Sequence, residues 1–169
     1  SVLALIDAHG QAMALTAQQT PALTTDASRL AVYLDQLKDS RAYWPPGLRY
    51  AVFDGLYTTH DFVAGVCETG LEMVGKLRYD ADLKYLFTGE QKATGRKRKY
   101  DGKVYYDDMN RFESLGELEP DIHGWVQTLW HVSLKRKVRV VMLVNDKKPD
   151  TQSHVLLFST DLTLSGQEI

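Results

Sequence analysis

Between residues 48 and 78 the chain reads as strand, helix, strand, and the crossover this pattern demands constrains the fold more than any other feature. The apolar run Leu48-Arg49-Tyr50-Ala51-Val52-Phe53 is followed at once by Asp54 and Gly55. Thr58 or Thr59 offers a capping oxygen, Phe62, Val63, Val66 and Cys67 recur at helical spacing, and Gly70 suits the position just past the helix end. A second apolar run then ends in the basic residues Lys76 and Arg78. Two strands joined by a single helix share a sheet and run parallel in it.

The flanking segments extend this into a mixed α/β pattern. Residues 1–6 are strand-like, Asp7-Ala8-His9-Gly10 has the composition of a hairpin turn, and 11–17 alternates until Pro21 closes the strand. Thr24, Thr25 and Asp26 offer caps for a helix that carries Ala27, Leu30, Ala31, Leu34 and Leu37 to about Lys38. An early hairpin and a later crossover predict one mixed sheet through these strands with helices against it. After Arg78 the character changes: 80–153 is expected to be a β-rich insertion, with long strands at 125–134 and 138–145 joined through Lys135-Arg136-Lys137. Residues 154–159 form a strand returning to the main sheet, so the expected division is 1–79, 80–153 and 154–169. The chain begins in mid-strand without Met, and 164–169 stops where a helix should start. It reads as a piece of a longer protein, truncated at both ends and prone to self-association through uncovered sheet edge and apolar surface.

With 169 residues and 44% hydrophobic content, one core is the default. The net charge of −2 conceals a local excess, since residues 76–103 hold nine basic side chains against four acidic. Cys67 is the only cysteine, which excludes an intrachain disulfide and a thiolate zinc site; on an apolar helix face it reads as a small hydrophobe. No apolar run approaches the ~18 residues of a membrane span, and the start lacks a signal-peptide pattern, so a cytoplasmic setting is expected.

Three groups bear on chemistry. Asp54 at a strand tip is placed either to cap the following helix or to hold a divalent metal, and Lys76 and Arg78 on the neighbouring tip favour the second. Phosphoryl transfer needs carboxylates for Mg²⁺ and cations for the developing charge. The run Arg96-Lys97-Arg98-Lys99 is either a solvated loop or a contact to DNA phosphates, and Lys135, Arg136, Lys137 and Arg139 add a second basic cluster in its favour. Asp7 also ends a strand, but its turn accounts for it; Asp161 lies near the last strand and is a weaker candidate to touch the site, as is Glu168. The five histidines lack ligand spacing, and no nucleophile-elbow pattern supports a serine triad.

Taken together and in order, Gln19-Thr20-Pro21, Phe53-Asp54-Gly55-Leu56-Tyr57, residues 74–86, residues 95–104 and Leu157-Phe158-Ser159-Thr160-Asp161 resemble the catalytic domain of DDE-type transposases of bacterial insertion sequences. The resemblance spans essentially the whole chain. It implies a ribonuclease-H-like fold interrupted by a β-rich insertion, with three carboxylates holding two Mg²⁺ (or Mn²⁺) ions for DNA cleavage and strand transfer. It implies DNA as partner, a homodimer or higher assembly when active, Asp54 as the second acid, and Lys76, Arg78 and Arg96, Lys97, Arg98 and Lys99 along the DNA path. The first acid would lie upstream of Ser1 and the third, in a Tyr–Arg–Glu helix, beyond Ile169, so this piece alone is expected to be inactive. Another metal-dependent nuclease of the same fold, or a non-catalytic DNA-binding remnant, remains the alternative.

Overall fold

A computed structural model describes residues 1–7, 9–20, 22, 26–147 and 154–169. Strands β1 (Val2–Ile6) and β2 (Ala12–Ala17) pair antiparallel as a separate two-stranded sheet. Helix α1 (Asp26–Asp39) follows, then β3 (Tyr50–Phe53), α2 (His60–Glu68) and β4 (Glu72–Lys76). Six further strands complete the chain: β5 (Leu83–Leu86), β6 (Tyr100–Lys103), β7 (Glu113–Glu119), β8 (Ile122–His131), β9 (Arg136–Asn145) and β10 (His154–Ser159). The large sheet runs β3-β4-β10-β9-β8-β5-β6, with β7 pairing to the remaining length of β8. The fold is therefore mixed α/β, with one parallel pair, β3 with β4, in an otherwise antiparallel sheet.

One expectation fails. The early strands do not form a continuous sheet, because β1 bonds only to β2 and the outer edge of β3 bonds to no described strand. The hairpin is instead fastened to α1, whose buried Gln36 donates to Thr16 Oγ1 and accepts from Ser1 Oγ. Leu3 packs against the core. A second difference concerns the end of the chain. Residues 160–169 form turns rather than a helix: the Glu168 carboxylate accepts from both Ser165 N and Ser165 Oγ, which is half of a capping box, while Glu168 N donates to the Ser165 carbonyl rather than to its hydroxyl. In this segment Leu164 is buried, and Gly166 lies against Leu115 and Val126, on the sheet face away from the helices. The expected caps Thr24 and Thr25, and Pro21, lie outside the described residues.

Period-two alternation builds the main core. On β9, Val138, Val140 and Met142 are buried toward the helix side, while Lys137 and Arg139 point the other way. They meet Met73, Leu129, Leu156 and Phe158 from neighbouring strands and Phe62, Val63 and Val66 from α2. The helices approach closely because Gly65 has no side chain: a Cβ there would lie 2.3 Å from Leu34 Cδ2. Gly75 does the same for the parallel strands, since a Cβ would meet the Phe53 carbonyl oxygen at 2.8 Å and Phe158 Cε1 at 3.1 Å. His131 is buried, and its Nδ1 accepts from the Leu134 N–H at 3.2 Å. Burial draws its pKa down from 6.5 to about 4.

Two stability measurements check this packing. Gly75→Ala is expected to cost about 1–3 kcal/mol in urea unfolding, because the obstructing atom is backbone and cannot rotate away. For His131 the native state needs the neutral ring, so its folded pKa lies below the unfolded one. The contribution is complete above pH 6.5 and is lost as pH falls toward 4. The urea midpoint should decline across that window, and His131→Asn should flatten the decline.

Candidate functional site

The parallel pairing of β3 with β4 sets Phe53 opposite Gly75, which brings Asp54 beside Lys76 at the C-terminal tips of both strands. The connection onward is short and internally bonded. Asp54 Oδ1 accepts from Leu56 N at 2.7 Å, and the Asp54 carbonyl accepts from Tyr57 N at 3.1 Å. Thr58 Oγ1 donates to the Lys76 carbonyl at 2.9 Å, tying the loop to the neighbouring tip. Thr59 then caps α2 by accepting from Phe62 N at 3.4 Å. Beneath the loop, Phe53, Tyr57 and Phe62 form a mutual aromatic cluster with ring centroids 5.0–5.1 Å apart, which Tyr33 joins from α1. Burial pushes the Tyr57 hydroxyl above its ordinary pKa.

Asp54 is exposed, and its second carboxylate oxygen has no protein partner among the described residues. Lys76 is exposed and likewise makes no ion pair among them. One Asp54 oxygen caps the short turn Gly55–Tyr57, while α2 itself is capped by Thr59 and not by Asp54 as the capping alternative expected. Arg78, two residues on, is held by Asp80 through Nε at 3.0 Å and Nη2 at 3.3 Å. No group of three His, Cys, Asp or Glu converges anywhere among the described residues, so Asp54 belongs to no such group.

The 96–99 run lies in the loop between β5 and β6. Strand β5 is five positions from β3, or ~24 Å at the usual inter-strand spacing, so this run does not join Asp54 in one pocket. Its four cations are not equivalent. Arg98 is built into the loop: it donates to Asp101 at 2.6 Å and to the Tyr100 carbonyl at 3.0 Å, and lies 4.8 Å from the Phe87 ring centre. Arg96, Lys97 and Lys99 are exposed and carry no ion pair among the described residues.

Strand geometry also divides the second basic cluster. Lys135 occupies the β8–β9 turn at φ 52. Arg136 points to the helix side, where its Nη1 lies 3.0 Å from Cys67 Sγ in an open groove of about 460 Å³ lined also by His60 and Glu68. Lys137 and Arg139 face the opposite side.

Asp161 does not reach Asp54. It is buried near the start of β3, accepting from Thr163 Oγ1 at 2.6 Å, Thr163 N at 2.9 Å and Tyr50 O–H at 2.8 Å, with Arg49 at 3.4 Å. Those bonds, Thr163's first, hold its carboxyl at about 2. Sequence reasoning missed this cluster because Tyr50 and Asp161 are 111 positions apart. Asp7 accepts from His9 N and Gln11 N and so serves its own turn. No family model matches this chain, and neither the curated proteins nor the solved structures yield a match.

The loop geometry separates the two roles of Asp54 by substitution. Asp54→Ala should lose about 1 kcal/mol of stability with its bond to Leu56 N, whereas Asp54→Asn keeps an acceptor there and should unfold within a few tenths of wild type. Equal losses in both variants by chemical denaturation would contradict the described bond.

Proposed function

We propose that this chain is part of the catalytic domain of a DDE-type DNA transposase, acting on DNA as a dimer or higher assembly, in which Asp54 supplies one of three metal-ligating carboxylates. The observation that carries the reading is the exposed Asp54, one carboxylate oxygen of which has no partner among the described residues, at a strand tip beside Lys76, which makes no ion pair among them. The order of elements supports it: a hairpin, a helix, then a strand ending in the acid, a capped helix and a parallel strand ending in cations. The ribonuclease-H-like form of the reading asks for one more strand, between the free edges of β1 and β3, to join the two sheets.

One carboxylate holds a divalent ion only weakly, and no group of three His, Cys, Asp or Glu forms among the described residues. In this reading the remaining acids would come from outside these 169 residues. What these residues do alone is more limited. Asp54 presents one negative oxygen in a rigid loop, and Lys76 offers a flexible ammonium to a phosphate lying across the strand tips.

A second reading, a non-catalytic DNA-binding module, is favoured by the three unpaired cations Arg96, Lys97 and Lys99, remote from Asp54. It predicts duplex binding that survives Asp54→Ala and weakens with salt at a log–log slope of roughly −3, one phosphate per free cation.

For the transposase reading, Mn²⁺ added to the isotope-labelled chain should broaden the amide signals of residues 54–58 selectively. Asp54→Asn should abolish that broadening, and the chain alone should not nick supercoiled plasmid. In a parent protein carrying all three acids, Asp54→Ala should reduce strand transfer to background. Unimpaired strand transfer by that variant would sink the assignment.

A further inference from the structure

On the sheet face away from the helices, four side chains stand in one cross-strand row. Lys103 on β6 is opposite Lys84 on β5, Lys84 is opposite Trp130 on β8, and Trp130 is opposite Lys137 on β9. Directly paired residues project to the same side, so the row spans about 14 Å over three strand spacings. Their neighbours in sequence, Leu83, Leu129 and Val138, are buried on the other side. Tyr100 completes the group, its ring 5.5 Å from that of Trp130 and 5.5 Å from the Lys84 ammonium.

The charges here are unbalanced. Lys84, Lys103 and Lys137 make no ion pair among the described residues. Two acids on the adjoining strands are engaged elsewhere: Asp101 binds Arg98 and Arg111, and Glu113 reaches Arg139 at 3.7 Å. Arg139, in the adjoining row, reaches Thr128 and Glu113 but has a buried Nε without a hydrogen-bond partner among the described residues. On this face Gly166 of the segment 160–169 lies against Leu115 and Val126, toward the other end of β8. Tyr100 also begins the strand that leaves the loop bearing Arg96, Lys97 and Lys99.

We propose that this row is a docking surface for single-stranded nucleic acid, with Trp130 and Tyr100 stacking on unpaired bases and Lys84, Lys103 and Lys137 receiving the phosphates. Aromatic side chains on a sheet face stack on bases of any sequence, and flanking lysines neutralise the backbone. A duplex keeps its base faces stacked internally and can use only the cations. An apolar protein partner would leave the three lysines unanswered. The surface lies on β5, β6, β8 and β9 and does not include Asp54, so it stands or falls separately from the transposase reading.

The test is fluorescence anisotropy with labelled oligo-dT and oligo-U of about 20 nucleotides and a duplex of equal length, using the 169-residue chain. Both single strands should bind more tightly than the duplex. Equal affinity for dT and U marks a base-and-phosphate surface, and a preference for either identifies the natural strand. Trp130→Ala should weaken single-strand binding about 10-fold, and Trp130→Phe, which keeps a stacking face, should restore most of it. Lys84→Gln with Lys137→Gln should lower the log–log salt slope by about 1.4 and settles the matter if Trp130→Ala fails to fold. Asp54→Ala should change none of these values. Absence of binding at low salt, duplex binding as tight as single-strand binding, or an unchanged salt slope in the lysine variant would each overturn the proposal.

Discussion

The close parallel contact between β3 and β4 is the constraint on which the rest of the site depends. It exists because residue 75 is glycine, which lets the Phe53 carbonyl approach to a distance that any side chain would block. From that approach follow the alignment of Asp54 with Lys76 and the bond from the Thr58 hydroxyl to the Lys76 carbonyl. The aromatic cluster of Phe53, Tyr57 and Phe62 then fills the space between strand pair and helix. An exposed acid on a flexible loop would have no preferred direction; here the backbone on both sides of it is bonded, so the carboxylate is presented rather than merely available.

Pleating decides where the charges go. The run 135–139 looks like a single basic cluster, yet the strand sends Arg136 toward Cys67 among the helices and Lys137 and Arg139 to the opposite face. Register then assembles what sequence separates, bringing Lys84, Lys103 and Lys137 into one line with Trp130. Charge in this chain is thus organised by cross-strand pairing, not by local composition, and a near-neutral total is compatible with a strongly basic patch.

What could be read from the sequence was whatever is encoded locally. Helix α2 was legible because its cap at Thr59, its apolar stripe and Gly70 at φ 92 lie within twelve residues of one another. Strand β10 was legible because 154–159 is a short apolar run between polar segments. The exposed tip at Asp54 followed from an apolar run that ends in an acid. The features that escaped depend on distant partners. The unjoined early sheet turns on which edges meet, a property no single strand records. The role of Arg98 as a loop brace needs Phe87 and Asp101 in view together. Ser165 and Glu168 carry a helix-start signature but make only half of its contacts, and the segment turns over the sheet, where Gly166 lies against Leu115 and Val126.

The β1–β2 hairpin shares no backbone ladder with the main sheet and reaches the remainder of the molecule chiefly through side chains, Gln36 bonding to Ser1 and Thr16 and Leu3 entering the core. Its opening therefore breaks only its own rungs and a few lateral contacts, while the eight-stranded sheet stays shut. Such a unit behaves as a separate cooperative layer: its amide hydrogens would trade with solvent through local excursions far cheaper than global unfolding. The same looseness leaves its outer backbone donors and acceptors free to zip onto whatever strand is presented to them.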